Sequence, residues 1–177
     1  MPTIRPTGPI MTRRSLQPPR RRTRGRRHAV ARDAAAVVVL FCCLNQRVFA
    51  DCFDAAASYQ GVSAYVLRAI AWVESRGNPA AEHRNANGSI DIGELQVNSI
   101  HLRELAGFGI DARSLRDECV NIYVAAWHLK KKMLKYGNTW DAVGAYHSET
   151  PKLRDAYVRQ VQQTLTRWGA GPVQFEP

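Results

Sequence analysis

The chain has 177 residues, enough for one domain with a hydrophobic core, and a formal net charge of +10. Of its 25 basic and 15 acidic residues, eleven arginines and Asp33 lie within residues 1–50, which leaves 14 of each from Asp51 onward. The positive charge therefore belongs to the N-terminal segment, and the rest of the chain is near neutral. Charge gives no reason to expect a nucleic-acid partner.

Residues 1–50 have the pattern of a secretory signal peptide with a long arginine-rich start. Residues 1–33 combine arginine with proline and are predicted to be disordered. The apolar run that follows, 34–44, is shorter than the about 20 residues of a membrane-spanning helix. Residues 48–50 fit a cleavage site, so we expect export to the periplasm with cleavage after Ala50. An uncleaved anchor is the alternative.

Cleavage there leaves two cysteines, Cys52 and Cys119. A cysteine pair in an exported chain favours a disulfide, which would join the mature N-terminus to the start of a later helix. In the loop-entropy description, closing so long a loop stabilises the fold by about 4–5 kcal/mol. Two separate buried thiols are the alternative.

From Asp51 onward, capping residues and apolar periodicity predict a mainly α-helical single domain over 51–168 with a small β-hairpin flap, followed by a tail over 169–177. An Asn-Gly turn at 87–88 and alternation over 90–97 indicate the flap. The predicted helices are 52–59, a helix capped by Ser63 that ends at Gly77, one from Asn98 or Ser99 through Ala106, Glu118–Tyr136 capped by Asp117, 140–146 capped by Thr139, and 151–168.

Two further groups of residues are predicted to have structural roles. Lysines at 130–132 and 135 lie near the C-terminus of the longest helix, where cations suit the helix dipole, and are expected to be solvated. The four tryptophans lie on helical stripes, which favours packing in the core over stacking on a sugar; they are Trp72, Trp127, Trp140 and Trp168.

Glu74 is the residue whose position in the sequence most clearly indicates a chemical role. Leu67, Ile70 and Glu74 lie on one helical stripe, so the face that buries the two apolar residues also turns the carboxylate inward or into a cleft. Burial and the negative end of the helix dipole both raise its pKa. A carboxylic acid that is protonated near neutral pH can act as a general acid. An exposed glutamate, or one paired with Arg68 or Arg76, is the alternative.

Three short motifs follow one another along the chain: Glu74-Ser75, then Gly-Glu-Leu-Gln-Val-Asn at 93–98, then Ala-Tyr-His-Ser at 145–148. Their order and spacing, with the cysteine pair and the signal peptide, resemble the lysozyme-like lytic transglycosylases, specifically the small exported ones of type III and type IV secretion and conjugation machines. The resemblance spans about 52–168. It implies a lysozyme-like (α+β) fold, peptidoglycan as substrate, secretion-system components as partners, and neither metal nor cofactor. We expect a monomer.

The resemblance also implies roles for individual residues. Glu74 matches the single catalytic acid, and Ser75 matches the residue that helps orient the acid and the substrate. Gly93 and Gln96 match a Gly-Leu-Met-Gln motif that lines the sugar cleft. Tyr146 matches a tyrosine whose hydroxyl lies near the catalytic carboxylate.

Two residues depart from the family pattern. Glu94 stands where the family usually has leucine; an exposed flap position is the simpler interpretation, and a second carboxylate in the site is the alternative. His147 stands where many members have asparagine. It could contact substrate, although a surface or hydrogen-bonded structural histidine is the alternative.

A lone acid fits the chemistry that the resemblance implies. Glu74 protonates the β-1,4 glycosidic oxygen between N-acetylmuramic acid and N-acetylglucosamine. The substrate's own N-acetyl group then stabilises the positive charge at the anomeric carbon. Glu74 then takes the proton of the C6 hydroxyl, which closes a 1,6-anhydro ring. The rival hypotheses are a hydrolytic muramidase, which adds water, and a catalytically weak peptidoglycan-binding component of a secretion system.

Overall fold

The structure, a computed structural model, describes residues 51–171. The predicted signal peptide, its cleavage site and the arginine-rich leader lie outside these residues, as do residues 172–177 of the predicted tail. Between Asp51 and Gly171, no helix has the length and apolar character needed to cross a membrane.

The described chain is mainly α-helical with a small antiparallel sheet, as predicted. The helices are α1 (Cys52–Gln60), α2 (Ala64–Ser75), α3 (Leu102–Leu105), α4 (Glu118–Tyr136), α5 (Trp140–His147) and α6 (Pro151–Arg167). The strands are β1 (Glu82–Arg84), β2 (Ile90–Ile92) and β3 (Val97–Asn98), in the order β1-β2-β3. Glu82 pairs with Ile92 in the first ladder, and Ile92 pairs with Val97 in the second.

The predicted caps start the helices. Ser63, Asp117 and Thr139 each accept a hydrogen bond from the backbone N–H three residues ahead, which satisfies a donor that the first helical turn leaves free. The ends differ slightly from the prediction: α2 stops at Ser75, with Arg76 in the left-handed region (φ 60°), and α6 stops at Arg167.

The prediction of one continuous helix through Ala106 is wrong. The single α-turn of α3 is flanked by two 3₁₀ turns, Ser99–His101 and Ala106–Phe108. Gly109, at φ 76°, ends the segment. The segment after the Asn98 cap is therefore a succession of short, tight turns.

The predicted disulfide between Cys52 and Cys119 is formed and joins α1 to the first turn of α4. Behind it, α2 and α4 supply most of the core, and α6 adds its buried stripe. The core residues with 0–1 % exposure on α2 and α4 are Val66, Leu67, Ala69, Ile70, Ile122, Val124, Ala125, Ala126 and Leu129.

The tryptophans behave in two ways. Trp127 is buried and Trp140 packs against the core, as predicted. The prediction is wrong for Trp72 and Trp168, which are 39 % and 44 % exposed and contact each other edge to face at 6.1 Å between ring centroids. Trp72 lies two positions from Ile70, about 200° around α2, so it faces away from the core.

Asn121 fixes the β flap to the core. Its Nδ2 donates to the carbonyls of Ile92 (2.8 Å) and Leu115 (3.1 Å), and its Oδ1 accepts from the Leu95 N–H (2.9 Å). Gly93, at φ 77°, lies directly against this amide: a Cβ there would stand 2.3 Å from Nδ2. The turn over 93–96 is therefore held in one place on α4, which sets the position of the residues on either side of it.

Candidate active site

A groove of about 630 Å³ separates the flap from α4 and α5. Glu74 lines it from the last turn of α2. The flap contributes Asp91, Gln96 and Asn98, and α5 contributes Tyr146 and His147. The three sequence motifs therefore meet at one groove, although they are separated by up to about 70 residues in the chain.

Glu74 has the environment that its helical position predicted. Its pKa is raised to about 7, chiefly by burial and also by the charge of Asp91, against a lowering by a hydrogen bond from Tyr157. It pairs with neither neighbouring arginine: Arg68 binds Asp51, and Arg76 packs over the Trp72 ring. Glu74 can therefore hold a proton near neutral pH and release it to a bound ligand.

Tyr157 is a site residue that sequence reasoning missed. Its Oη donates to Glu74 Oε1 at 2.6 Å, across 83 residues of sequence. Burial, Glu74 and Tyr146 raise the pKa of Tyr157 well above its usual value, so the hydroxyl keeps its proton and donates. His147 stacks on the ring at 4.8 Å with planes 1° apart. The signal available in the sequence was the spacing of Tyr157 and Val161 on one buried stripe of α6. A tyrosine on such a stripe needs a hydrogen-bond partner for its buried hydroxyl.

Ser75 and Tyr146 both bind the backbone of the 93–96 turn. Ser75 Oγ donates to the Glu94 carbonyl at 2.7 Å, and Tyr146 Oη donates to the Leu95 carbonyl at 2.8 Å. Burial, with the charges of Glu74 and Asp91, raises the pKa of Tyr146. Tyr146 lines the groove, but its hydroxyl binds the Leu95 carbonyl and the hydroxyl on the Glu74 carboxylate is that of Tyr157, so the expectation that Tyr146 orients the acid by a hydrogen bond is wrong. The Ser75 hydroxyl likewise binds the turn.

Gln96 and Gly93 occupy different places. Gln96 lines the groove at φ 48°, and its Nε2 donates to the carbonyls of Gly93 (2.8 Å) and Ala81 (3.2 Å). Its amide oxygen is the group left for a ligand. Gly93 is buried beside Asn121 and does not line the groove, so its geometry assigns it to the turn.

Asp91 is a further carboxylate of the groove, which Glu149 also lines, and sequence reasoning missed Asp91 as well. Its Oδ1 accepts from Asn98 Nδ2 at 2.6 Å, and its Oδ2 accepts from Asn85 Nδ2 at 2.8 Å. Because side chains alternate along β2, Asp91 points away from the core side occupied by Ile92. That alternation was the signal in the sequence.

The expectation that Glu94 is exposed is wrong. Its side chain is 7 % exposed, and its Oε2 is buried without a hydrogen-bond partner in the described structure. Burial, then the charges of Glu118 and Asp51, raise its pKa. It lies beside Gly77 rather than in the groove, because the turn that Asn121 anchors folds back onto the core.

Taken together, a helical domain, a three-stranded flap and a buried acid in the groove between them define a lysozyme-like enzyme. A family model for the transglycosylase SLT domain matches residues 51–165. The chain belongs to this family, which comprises lytic transglycosylases. The family resemblance drawn from the motifs is thereby confirmed.

Three relatives illustrate the similarity. Invasion protein IagB of Salmonella typhimurium is 35 % identical over 136 residues, which cover 74 % of this chain and 85 % of IagB. Protein IpgF of Shigella flexneri is 34 % identical over 134 residues, 75 % of this chain and 88 % of IpgF. An X polypeptide of Escherichia coli is 42 % identical over 123 residues, 66 % of this chain and 73 % of that protein.

Replacing Tyr157 with phenylalanine tests the hydrogen bond to Glu74. Because that bond lowers the pKa of Glu74, its loss should move the alkaline limb of the pH–rate profile to higher pH. We also expect kcat to fall about tenfold, since the carboxylate formed on proton transfer loses a donor. Peptidoglycan turnover measured across pH checks both effects. Tyr65→Phe, at a 62 % exposed position, is the control; an unshifted profile for Tyr157→Phe would contradict the assignment.

Replacing Glu94 with glutamine tests its burial. Folding raises the pKa of Glu94, so the folded state binds this proton more tightly than the unfolded chain does. Once the pH exceeds the folded pKa, Glu94 is buried in its charged form and destabilises the fold most. Glu94→Gln should therefore raise the free energy of unfolding by about 1–2 kcal/mol at pH 7 and by less at pH 4. Urea unfolding at both pH values measures this. Glu104→Gln, at a surface ion pair, should change little, and an equal effect of Glu94→Gln at both pH values would refute the explanation.

Proposed function

We propose that the protein cleaves the β-1,4 bond between N-acetylmuramic acid and N-acetylglucosamine and releases 1,6-anhydromuramic products. The observation that supports this most is the single protonated acid of the groove, Glu74, with a pKa of about 7 and a bound tyrosine hydroxyl. A general acid of this kind suits a reaction whose nucleophile comes from the substrate.

In the first step Glu74 gives its proton to the glycosidic oxygen, and the bond from that oxygen to the anomeric carbon breaks. The acetamido oxygen of the muramic acid bonds to the anomeric carbon in its place. Tyr157 is a positioning residue, which donates to the carboxylate that Glu74 becomes and so lowers the cost of its negative charge.

In the second step the Glu74 carboxylate takes the proton of the C6 hydroxyl. The C6 oxygen then bonds to the anomeric carbon, and the acetamido group leaves with its electron pair restored. Glu74 is again protonated, no water is consumed, and the product carries a 1,6-anhydro ring.

Asp91 has an electrostatic role in this proposal. It lines the same groove as Glu74, and two asparagine amides hold its carboxylate in place. A fixed negative charge there favours the positive charge that develops at the anomeric carbon. The same observation favours a second candidate, a hydrolytic muramidase, because retaining glycosidases use two carboxylates.

We further propose that the protein is exported to the periplasm and opens the cell wall locally for a secretion apparatus. The disulfide between Cys52 and Cys119 fits an oxidising compartment. The leader pattern of residues 1–50 and the similarity to a protein named for invasion support the same assignment.

Digestion of purified sacculi tests the reaction itself. We expect mass spectrometry to find muropeptides that end in anhydromuramic acid, each lighter by one water than the hydrolytic product. Glu74→Gln should lower the rate about a thousandfold, and Asp91→Asn about tenfold or more. Glu104→Gln, an isosteric change on the surface, should match the wild type.

Each other outcome of that digestion identifies a rival. Reducing ends that have gained water would establish the muramidase. A wild type that binds sacculi but releases nothing, with Glu74→Gln equivalent to it in the cell, would establish a binding component of the apparatus.

A further inference from the structure

His147 covers the ring of Tyr157 at the edge of the groove. It is the last residue of α5, its side chain is exposed, and it lines the groove. Tyr157, on α6, is 4 % exposed. The two rings are parallel, with planes 1° apart and centroids 4.8 Å apart. One face of the buried tyrosine ring is therefore covered by an imidazole that is itself open to solvent.

The close approach of α5 and α6 brings the two rings together. A Cβ on Gly144 would stand 2.5 Å from Arg154 Cγ and 2.7 Å from the Arg154 carbonyl oxygen, so a larger residue there would push the helices apart. His147 follows Gly144 by three residues, and Tyr157 follows Arg154 by three. Because residues three apart are neighbours on a helix surface, the stacked rings lie next to this contact. The backbones of the two helices thus set the stack.

The position of the Tyr157 ring decides whether its hydroxyl reaches Glu74. That hydroxyl donates to Glu74 Oε1 at 2.6 Å. It stands at the far end of the ring from the backbone, so a tilt of the ring moves the oxygen further than it moves the ring centre. A hydrogen bond weakens steeply as its angle falls. Offset stacking of aromatic rings is favourable, so the His147 imidazole opposes such a tilt.

Glu74 responds to this hydroxyl through its affinity for a proton. Burial and the charge of Asp91 on β2 raise the pKa of Glu74, whereas the hydrogen bond from Tyr157 on α6 lowers it. Tyr146 on α5 keeps its own proton and adds no charge, because its pKa is raised well above the usual value. Loss of the His147 ring can therefore act in two opposite directions. A released tyrosine hydroxyl raises the pKa of Glu74, and water admitted to the site lowers it.

We propose that His147 is a positioning residue for the general acid, because its stack on Tyr157 holds the tyrosine hydroxyl on the Glu74 carboxyl. His147 acts through Tyr157 and needs no contact with the glycan. The inference rests on the function proposed above for its effect on rate. Its effect on the proton of Glu74 is a property of the free protein and is measured without substrate.

A carbon-13 NMR titration of the Glu74 carboxyl tests the inference. His147→Ala should raise the pKa of Glu74, as expected for Tyr157→Phe. His147→Phe, which keeps a flat ring, should restore the wild-type value, whereas His147→Asn, which keeps only a polar group, should not. In the Tyr157→Phe background His147→Ala should raise the pKa no further, since the hydroxyl through which it acts is gone. His83→Ala removes another exposed histidine of the groove and should leave the pKa of Glu74 unchanged.

Turnover of peptidoglycan gives a second readout. His147→Ala should lower kcat by up to about tenfold, the loss expected for Tyr157→Phe, with KM unchanged. A Glu74 pKa that falls or stays the same in His147→Ala would overturn the inference, since His147 would then shield the site or do nothing to it. A higher KM that His147→Asn restores and His147→Phe does not would overturn it as well, in favour of a contact with substrate. A wild type that cleaves nothing would count against the proposed function, and the titration would still decide the inference.

Discussion

The site depends on the balance between two opposing effects on the Glu74 carboxyl. Burial disfavours its charged form and raises the pKa, while the Tyr157 hydroxyl stabilises the charged form and lowers it. Burial without the hydroxyl would hold the proton too firmly for an efficient transfer, and the hydroxyl without burial would leave an ordinary ionised glutamate. Both conditions hold only because α6 packs against α2 and places Tyr157, 83 residues away in sequence, at 2.6 Å from the acid.

The second requirement is a rigid flap across the groove from Glu74. Three side chains from the helices hold the 93–96 turn, each through backbone groups of the flap: Ser75, Asn121 and Tyr146. This anchoring brings Asp91 and Gln96 to the groove and also buries Glu94 against the core, where its Oε2 has no hydrogen-bond partner among the described residues. The buried Glu94 therefore lowers the stability of the fold beside the turn that positions the flap.

Most of the architecture follows from local signals in the sequence. Capping side chains such as Ser63 and Asp117 satisfy backbone donors within a few residues, so they mark helix starts without tertiary information. The inward direction of Glu74 likewise follows from helical periodicity with Leu67 and Ile70. The remaining features depend on contacts between distant segments.

Tyr157 and Glu94 show what local signals cannot supply. The hydroxyl of Tyr157 acquires its role only when α6 docks, and the burial of Glu94 only when its turn folds onto Asn121. For Asp91, alternation with Ile92 shows a side chain that points away from the core, but only the packing of the flap shows that this side faces the groove. Trp72 is a different case, since its position two residues from Ile70 already places it opposite the buried stripe of α2 and helical periodicity predicts its exposure.

The central claim, a proton retained on Glu74 near neutral pH, can be measured directly. A carbon-13 NMR titration of the glutamate side-chain carboxyls, with the Glu74 signal assigned by its loss in Glu74→Gln, gives the pKa of this group in the folded protein. The account predicts a midpoint of about 7. A midpoint at the ordinary 4.5 of a solvated glutamate would contradict it.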